Sequence, residues 1–97
     1  MDEYFELNGI TFLWNQEKAC KNLAKHGVVF EQAAEAFFDP FVRVIDASPE
    51  EEARDAVIGM DKRWNLLFVV HIVLEEDQIR IISARKATRT ERQFYED

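Results

Sequence analysis

Apolar positions along the chain change their spacing several times, and each change marks an element. Tyr4–Leu7 and Ile10–Trp14 flank Asn8-Gly9. That dipeptide is the strongest short hairpin signal, because both central turn positions need φ > 0. Asn15 can cap a helix over 16–26. Ala19, Cys20, Leu23 and Ala24 are expected to line its buried face. Gly27 suits the left-handed position just past that helix, with Lys25 and His26 in its last turn. Phe30, Ala33, Ala34, Phe37 and Phe38 follow at i, i+3, i+4, i+7 and i+8, a second helical stripe that reads as core. Asp39-Pro40 stops it.

Strand patterns follow over Phe41–Ile45, Ala53–Met60 and Leu66–Leu74. The third is apolar on both faces, as expected for a strand covered on both sides or central in a sheet. Glu75-Glu76-Asp77 is a charged turn before a fourth strand, Gln78–Ala84. Thr88-Arg89-Thr90-Glu91 has capping-box spacing and opens a short helix through about Tyr95. Hairpin, two helices, three or four antiparallel strands and a helix make an α+β chain. Its 97 residues suit one domain over 1–97.

Composition narrows the class. Apolar residues make up 47% and charged residues 32%, which is ordinary for a globular chain. No apolar run approaches a membrane span, and the acidic start lacks a signal-peptide pattern. A single cysteine, Cys20, forms no internal disulfide, and with two histidines it makes no structural zinc site. A cytoplasmic protein without membrane contact is the expectation. Net charge is −7, and all of it falls in residues 1–53. Residues 78–92 hold five bases (Arg80, Arg85, Lys86, Arg89, Arg92) against Glu91 alone. That stretch is either a phosphate-facing surface or a solvated strand end.

Several stretches together resemble the BrnT toxin family. They are Phe12-Leu13-Trp14-Asn15, Asn22-Leu23-Ala24-Lys25-His26-Gly27-Val28, Phe30-Glu31-Gln32-Ala33, and Phe38-Asp39-Pro40. Arg54 with Gly59, Leu66–His71, and Ile79-Arg80-Ile81-Ile82-Ser83-Ala84-Arg85-Lys86-Ala87 with Glu91 and Tyr95 complete the match. The resemblance implies a RelE-like fold: a small antiparallel sheet with an N-terminal hairpin, two helices packed on it and a short C-terminal helix. It implies a ribonuclease that blocks translation, with RNA as substrate and no cofactor. The implied partner is a BrnA-like ribbon-helix-helix antitoxin, which alone touches operator DNA. The sequence departs from the family pattern at Val29, where Ser is common, and at Ala53 and Asp55. The loop Asp46-Ala47-Ser48-Pro49-Glu50 lacks a frequent histidine. These departures keep open an alternative, an inactive module that only binds antitoxin and regulates its operon.

Metal-independent RNA cleavage needs a base for the ribose 2′-hydroxyl, an acid for the departing oxygen, and cations around the phosphorus. No carboxylate cluster with metal-ligand spacing stands out, so a two-metal nuclease is disfavoured. Arg54, Arg80 and Arg85 are candidate phosphate clamps, because a guanidinium grips phosphate bidentately. Lys25 and Lys86 supplement them. Arg80 and Arg85 differ in parity, so a regular strand puts them on opposite faces unless it bends or ends between them. Arg80 alternatively pairs with Glu75 or Asp77. Histidine changes charge between about pH 5 and 8, which makes His26 the leading base or acid, against a plain role at the helix end. His71 reads as a hydrogen-bonded core residue. Tyr95 and Glu91 are further acid–base candidates, Glu91 doubling as a capping residue. Trp64, in the turn Lys62-Arg63-Trp64-Asn65, can stack an RNA base or meet a partner protein, and Arg89 adds charge near the strand end.

Overall fold

A computed structural model describes residues 1–48 and 53–97, so Pro49 and Glu50 of the 46–50 loop lie outside the described residues. Asn8 and Gly9 take φ of 51° and 84°, the two left-handed residues that a tight hairpin requires. They join β1 (Asp2–Leu7) to β2 (Ile10–Asn15), with Leu7 opposite Ile10. The Asn15 side chain accepts a hydrogen bond from Lys18 N at 3.0 Å and starts α1 (Gln16–His26). Gly27, at φ 71°, donates to the Leu23 carbonyl and ends it. α2 (Phe30–Ala36) starts at Val29 without a side-chain cap. Asp39 then turns the chain by accepting from Phe41 N, which delays β3 to Arg43–Asp46, two residues later than the apolar pattern suggests. β4 (Asp55–Met60), β5 (Leu66–Glu75) and β6 (Gln78–Lys86) follow, then α3 (Arg89–Glu96) with its capping box of Thr88 and Glu91.

The six strands form one sheet in the order β1-β2-β6-β5-β4-β3. This corrects the expectation of a purely antiparallel sheet: β2 and β6 are parallel, pairing Thr11–Leu13 with Gln78–Arg80. The cause is the return path. After the hairpin the chain leaves through α1 and α2, re-enters at the far edge as β3, and meanders back until β6 meets β2. β5 is interior, as its two apolar faces require.

One sheet face carries Phe12, Trp14, Val57, Leu67, Val69, Ile81 and Ala84, which pack against Val28, Phe30, Ala33, Ala34 and Ala36. His71 lies on this face, buried, with Nδ1 3.3 Å from the Val69 carbonyl and its ring edge-on to Phe37. Gly59 lets β4 pass under the end of α2. A Cβ there would stand 2.3 Å from the Ala36 carbonyl oxygen. Gly59→Ala is therefore expected to lose about 1–3 kcal/mol, because the neighbour is backbone and must move. Thermal unfolding followed by circular dichroism measures this, and an unchanged midpoint would show that α2 yields freely.

α1 is turned about its axis relative to its sequence pattern, keeping only Ala19 of the expected stripe against the core. Only Asn22 is buried on it, while Cys20, Leu23 and Ala24 are exposed and Ala19 is half-buried. The correction has a local reason. β2 leaves β6 after Arg80, so the next edge of β6 lacks a strand partner on that side. The Asn22 amide fills the place: it donates to the carbonyls of Ala84 (2.8 Å) and Val28 (3.1 Å) and accepts from Ala84 N (3.0 Å). Buried backbone groups need such partners, and this need overrides the apolar stripe.

α3 crosses the opposite sheet face. Glu91 at its start meets Arg85 of β6, and Phe94 near its end lies under the Arg43 guanidinium of β3.

Candidate functional site

Lys18, Lys21 and Lys25 recur at i, i+3 and i+7 and so share one flank of α1. Asn22 ties that helix to the edge of β6, which brings the lysine flank against Ile82 and Ser83. The result is a groove of about 230 Å³ lined by Lys18, Lys21, Asn22, Lys25, His26, Ile82 and Ser83. No carboxylate is among these described lining residues. Glu17, one turn before Lys21, is 3.3 Å from its ammonium, but both side chains are largely exposed and such a pair contributes little. On a chain of net charge −7 this is a concentration of positive charge with an imidazole at its end.

Ser83 also belongs to the sheet face that α3 crosses. Val70 and His71 are adjacent in β5, yet their partners in β6 are Ser83 and Ile81. Ile82 is thus an extra residue, a β-bulge, and it resets the parity of β6. Arg80 sits opposite Ile72 and Arg85 opposite Phe68, so both lie on the same face with Ser83 between them. The strand does bend, and the parity objection to these two arginines disappears. Arg54, one residue before β4, falls on that face too if the alternation of β4 is carried back.

The head groups diverge along the face. Arg80 reaches toward β1 and pairs with Asp2 at 2.8 Å, not with Glu75 or Asp77. Hydrogen bonding to Asp2 raises the Arg80 pKa, and the same bond holds the Asp2 carboxyl below its usual range. Arg85 turns toward β5, stacks 4.3 Å over the Phe68 ring, and meets Glu91 bidentately at 2.8 and 2.9 Å. Burial works to raise the Glu91 pKa, but the Arg85 and Thr88 contacts outweigh it and leave it lowered.

The remaining sequence candidates lie elsewhere. Tyr95 donates to Asp39 beside the pocket formed with Phe41, Val42 and Arg43. Burial and the Asp39 carboxylate push its pKa up to about 12. The hydroxyl is thus committed away from the groove. Trp64 is 82% exposed at φ 67° on a turn held by Asp61, whose carboxylate accepts from Gln32, Arg63 N and Asn65. Lys86, opposite Leu67, points to the α1–α2 side at the end of β6, and Arg89 is exposed in the first turn of α3. Of the site residues expected from sequence, Lys25 and His26 share the groove, Arg80 and Arg85 share the adjoining face, and Tyr95 and Trp64 join neither. Lys18, Lys21 and Ser83 were missed. The lysine spacing was visible in the sequence, whereas Ser83 depends on the bulge.

Among the described residues, no group of three or more His, Cys, Asp or Glu side chains is placed to hold a metal ion. No helix is long and apolar enough to cross a membrane.

A family model described as "Ribonuclease toxin, BrnT, of type II toxin-antitoxin system" matches residues 14–91. The chain belongs to the BrnT family. The BrnT match spans the groove, Arg80, Arg85 and Glu91, and it leaves out Asp2 and Tyr95. BrnT membership makes this the toxin component of a toxin–antitoxin pair and supports ribonuclease activity, with an antitoxin as partner. The crystal structure of the Brucella abortus ribonuclease toxin, BrnT, is similar in fold. It is 23% identical, with a TM-score of 0.61 over 78% of this chain and 94% of that one. No curated protein sequence matches the chain.

Proposed function

We propose that this BrnT chain is a RelE-like endoribonuclease that cleaves RNA without a metal ion, in the cytoplasm, and so halts translation. The observation that carries the reading is the lysine groove with His26 at its end, opposite Ser83. An RNA strand fits it chemically. Lys18, Lys21 and Lys25 neutralise phosphates, and the strand passes Ser83 onto the arginine face, where Arg80 and Arg85 exchange carboxylate for phosphate. His26 takes the proton of the ribose 2′-hydroxyl. The 2′-oxygen then bonds to phosphorus, the bond to the 5′-oxygen breaks, and that oxygen takes a proton from a lysine ammonium. The products are a 2′,3′-cyclic phosphate and a free 5′-hydroxyl. The antitoxin in this reading is a ribbon-helix-helix protein that alone contacts operator DNA.

Cleavage of RNA by the purified chain is expected to persist in EDTA, with cyclic phosphate at the new ends. Its loss on chelation would overturn the metal-independent step. Each phosphate contact on a single strand contributes about 0.7 to the slope of log affinity against log salt, so replacing all three groove lysines by alanine should flatten that slope by about 2.

One observation favours a second reading, the antitoxin-binding module without catalysis: Arg80 and Arg85 are both held by carboxylates of the same molecule. Growth arrest on expressing the chain alone separates the two. Arrest that vanishes in folded Arg80→Ala and Arg85→Ala variants supports cleavage. No arrest with intact antitoxin binding supports the module.

A further inference from the structure

We infer that the antitoxin docks on the flank of α1 opposite the lysines, inserting one apolar side chain flanked by lysine or arginine. The partner's identity rests on the toxin–antitoxin reading; its place rests on α1.

The turning of α1 by Asn22 leaves Cys20, Leu23 and Ala24 facing out, and Leu23 is 46% exposed. Nothing in the described chain covers them. Val29, 39% exposed, continues the same apolar surface at the start of α2. Between them lies a groove of about 110 Å³ reaching down to Trp14 and Phe30, whose rings meet edge-on at 5.6 Å. That volume is far below the roughly 300–1,000 Å³ of a small-molecule site, but it can receive a single side chain as an interface anchor.

The rim decides the occupant. Glu3 stands on one side, held by the Trp14 indole N–H at 3.2 Å, and Glu31 on the other. Two carboxylates repel an RNA phosphate backbone. They also repel a second copy of this chain, which would bring the same acidic rim. They attract a basic segment. α1 therefore separates two surfaces: a cationic one against β6 for RNA, and an apolar, acid-rimmed one against β1 and α2 for the antitoxin.

The test uses the chain co-purified with the protein encoded by the neighbouring reading frame. Cys20, exposed and the one cysteine in the chain, reports directly: its alkylation by iodoacetamide is expected in the free chain and lost in the complex. Leu23→Glu should weaken the complex about thirtyfold or more while RNA affinity and thermal midpoint stay as in the parent. Cys20→Glu repeats the test if Leu23→Glu lowers the midpoint. Equal alkylation in both states, or wild-type complex affinity in a folded Leu23→Glu chain, would overturn the surface. Failure of the neighbouring product to bind the parent chain would overturn the partner assignment and this surface with it. RNA cleavage, measured separately, can fail without touching either result.

Discussion

Replacing His26 by alanine is expected to slow RNA cleavage by about 10²–10⁴-fold, the range over which a positioned general base or acid contributes. The expectation comes from position. His26 closes the last turn of α1 and lines the same groove as Lys25 and Ser83. The turn itself is ended by the left-handed Gly27, whose N–H is bonded to Leu23. Removing the ring therefore leaves the helix end intact, and thermal unfolding should not move. Cleavage rates at several pH values, with the RNA affinity of the same variant, make the check specific: a base is lost from kcat, whereas a mere contact is lost from binding. Unaltered cleavage by the variant would remove His26 from the mechanism. His71 makes the contrast. Burial lowers its pKa, against the Val69 carbonyl and the Asp55 charge, and so favours the neutral ring.

Asn22→Leu is expected to cost about 3 kcal/mol, because the Ala84 N–H and the Ala84 and Val28 carbonyls lose their partners together and each unmet buried group costs about 1–3 kcal/mol. Leucine branches as asparagine does but can neither donate nor accept, so every one of these hydrogen bonds is lost. Asn22→Asp should not rescue it, since a carboxylate can accept from Ala84 N but cannot donate to either carbonyl. Activity should fall beyond the loss of folded protein, because α1 is no longer registered against β6 and the lysines drift from Ser83. Urea unfolding gives the first quantity and cleavage per folded molecule the second. A stable, fully active Asn22→Leu chain would mean that the amide holds neither.

The elements were legible in the sequence because their signals are local. Asn8-Gly9, Asn15, Gly27 and the Thr88–Glu91 capping box each dictate backbone geometry within a few residues, and the strands followed from their apolar runs. What stayed hidden is non-local. The parallel pairing of β2 with β6 joins residues far apart in the chain and leaves no mark on either strand. The bulge at Ile82 depends on how β5 and β6 settle against each other, so the common face of Arg80 and Arg85 could not be read from parity. α1 misled for the same reason: an apolar stripe normally faces inward, but an edge of unpaired backbone on β6 drew Asn22 there instead. His26 and Lys25, candidates from residue type and from the family resemblance, line one groove, while Tyr95 and Trp64 lie where that groove does not reach.

The closure of the sheet by β6 has a bearing on how the cell makes this protein. A ribosome releases the hairpin and α1 long before Gln78–Lys86 emerge, and until then β2 has a bare edge and the lysines face no wall. A growing polypeptide therefore lacks the Ile82–Ser83 wall of the groove, and on the proposed reading its RNA site is completed only after β6 is made. The same delay leaves an open strand edge on the nascent chain, so slow synthesis favours aggregation over maturation.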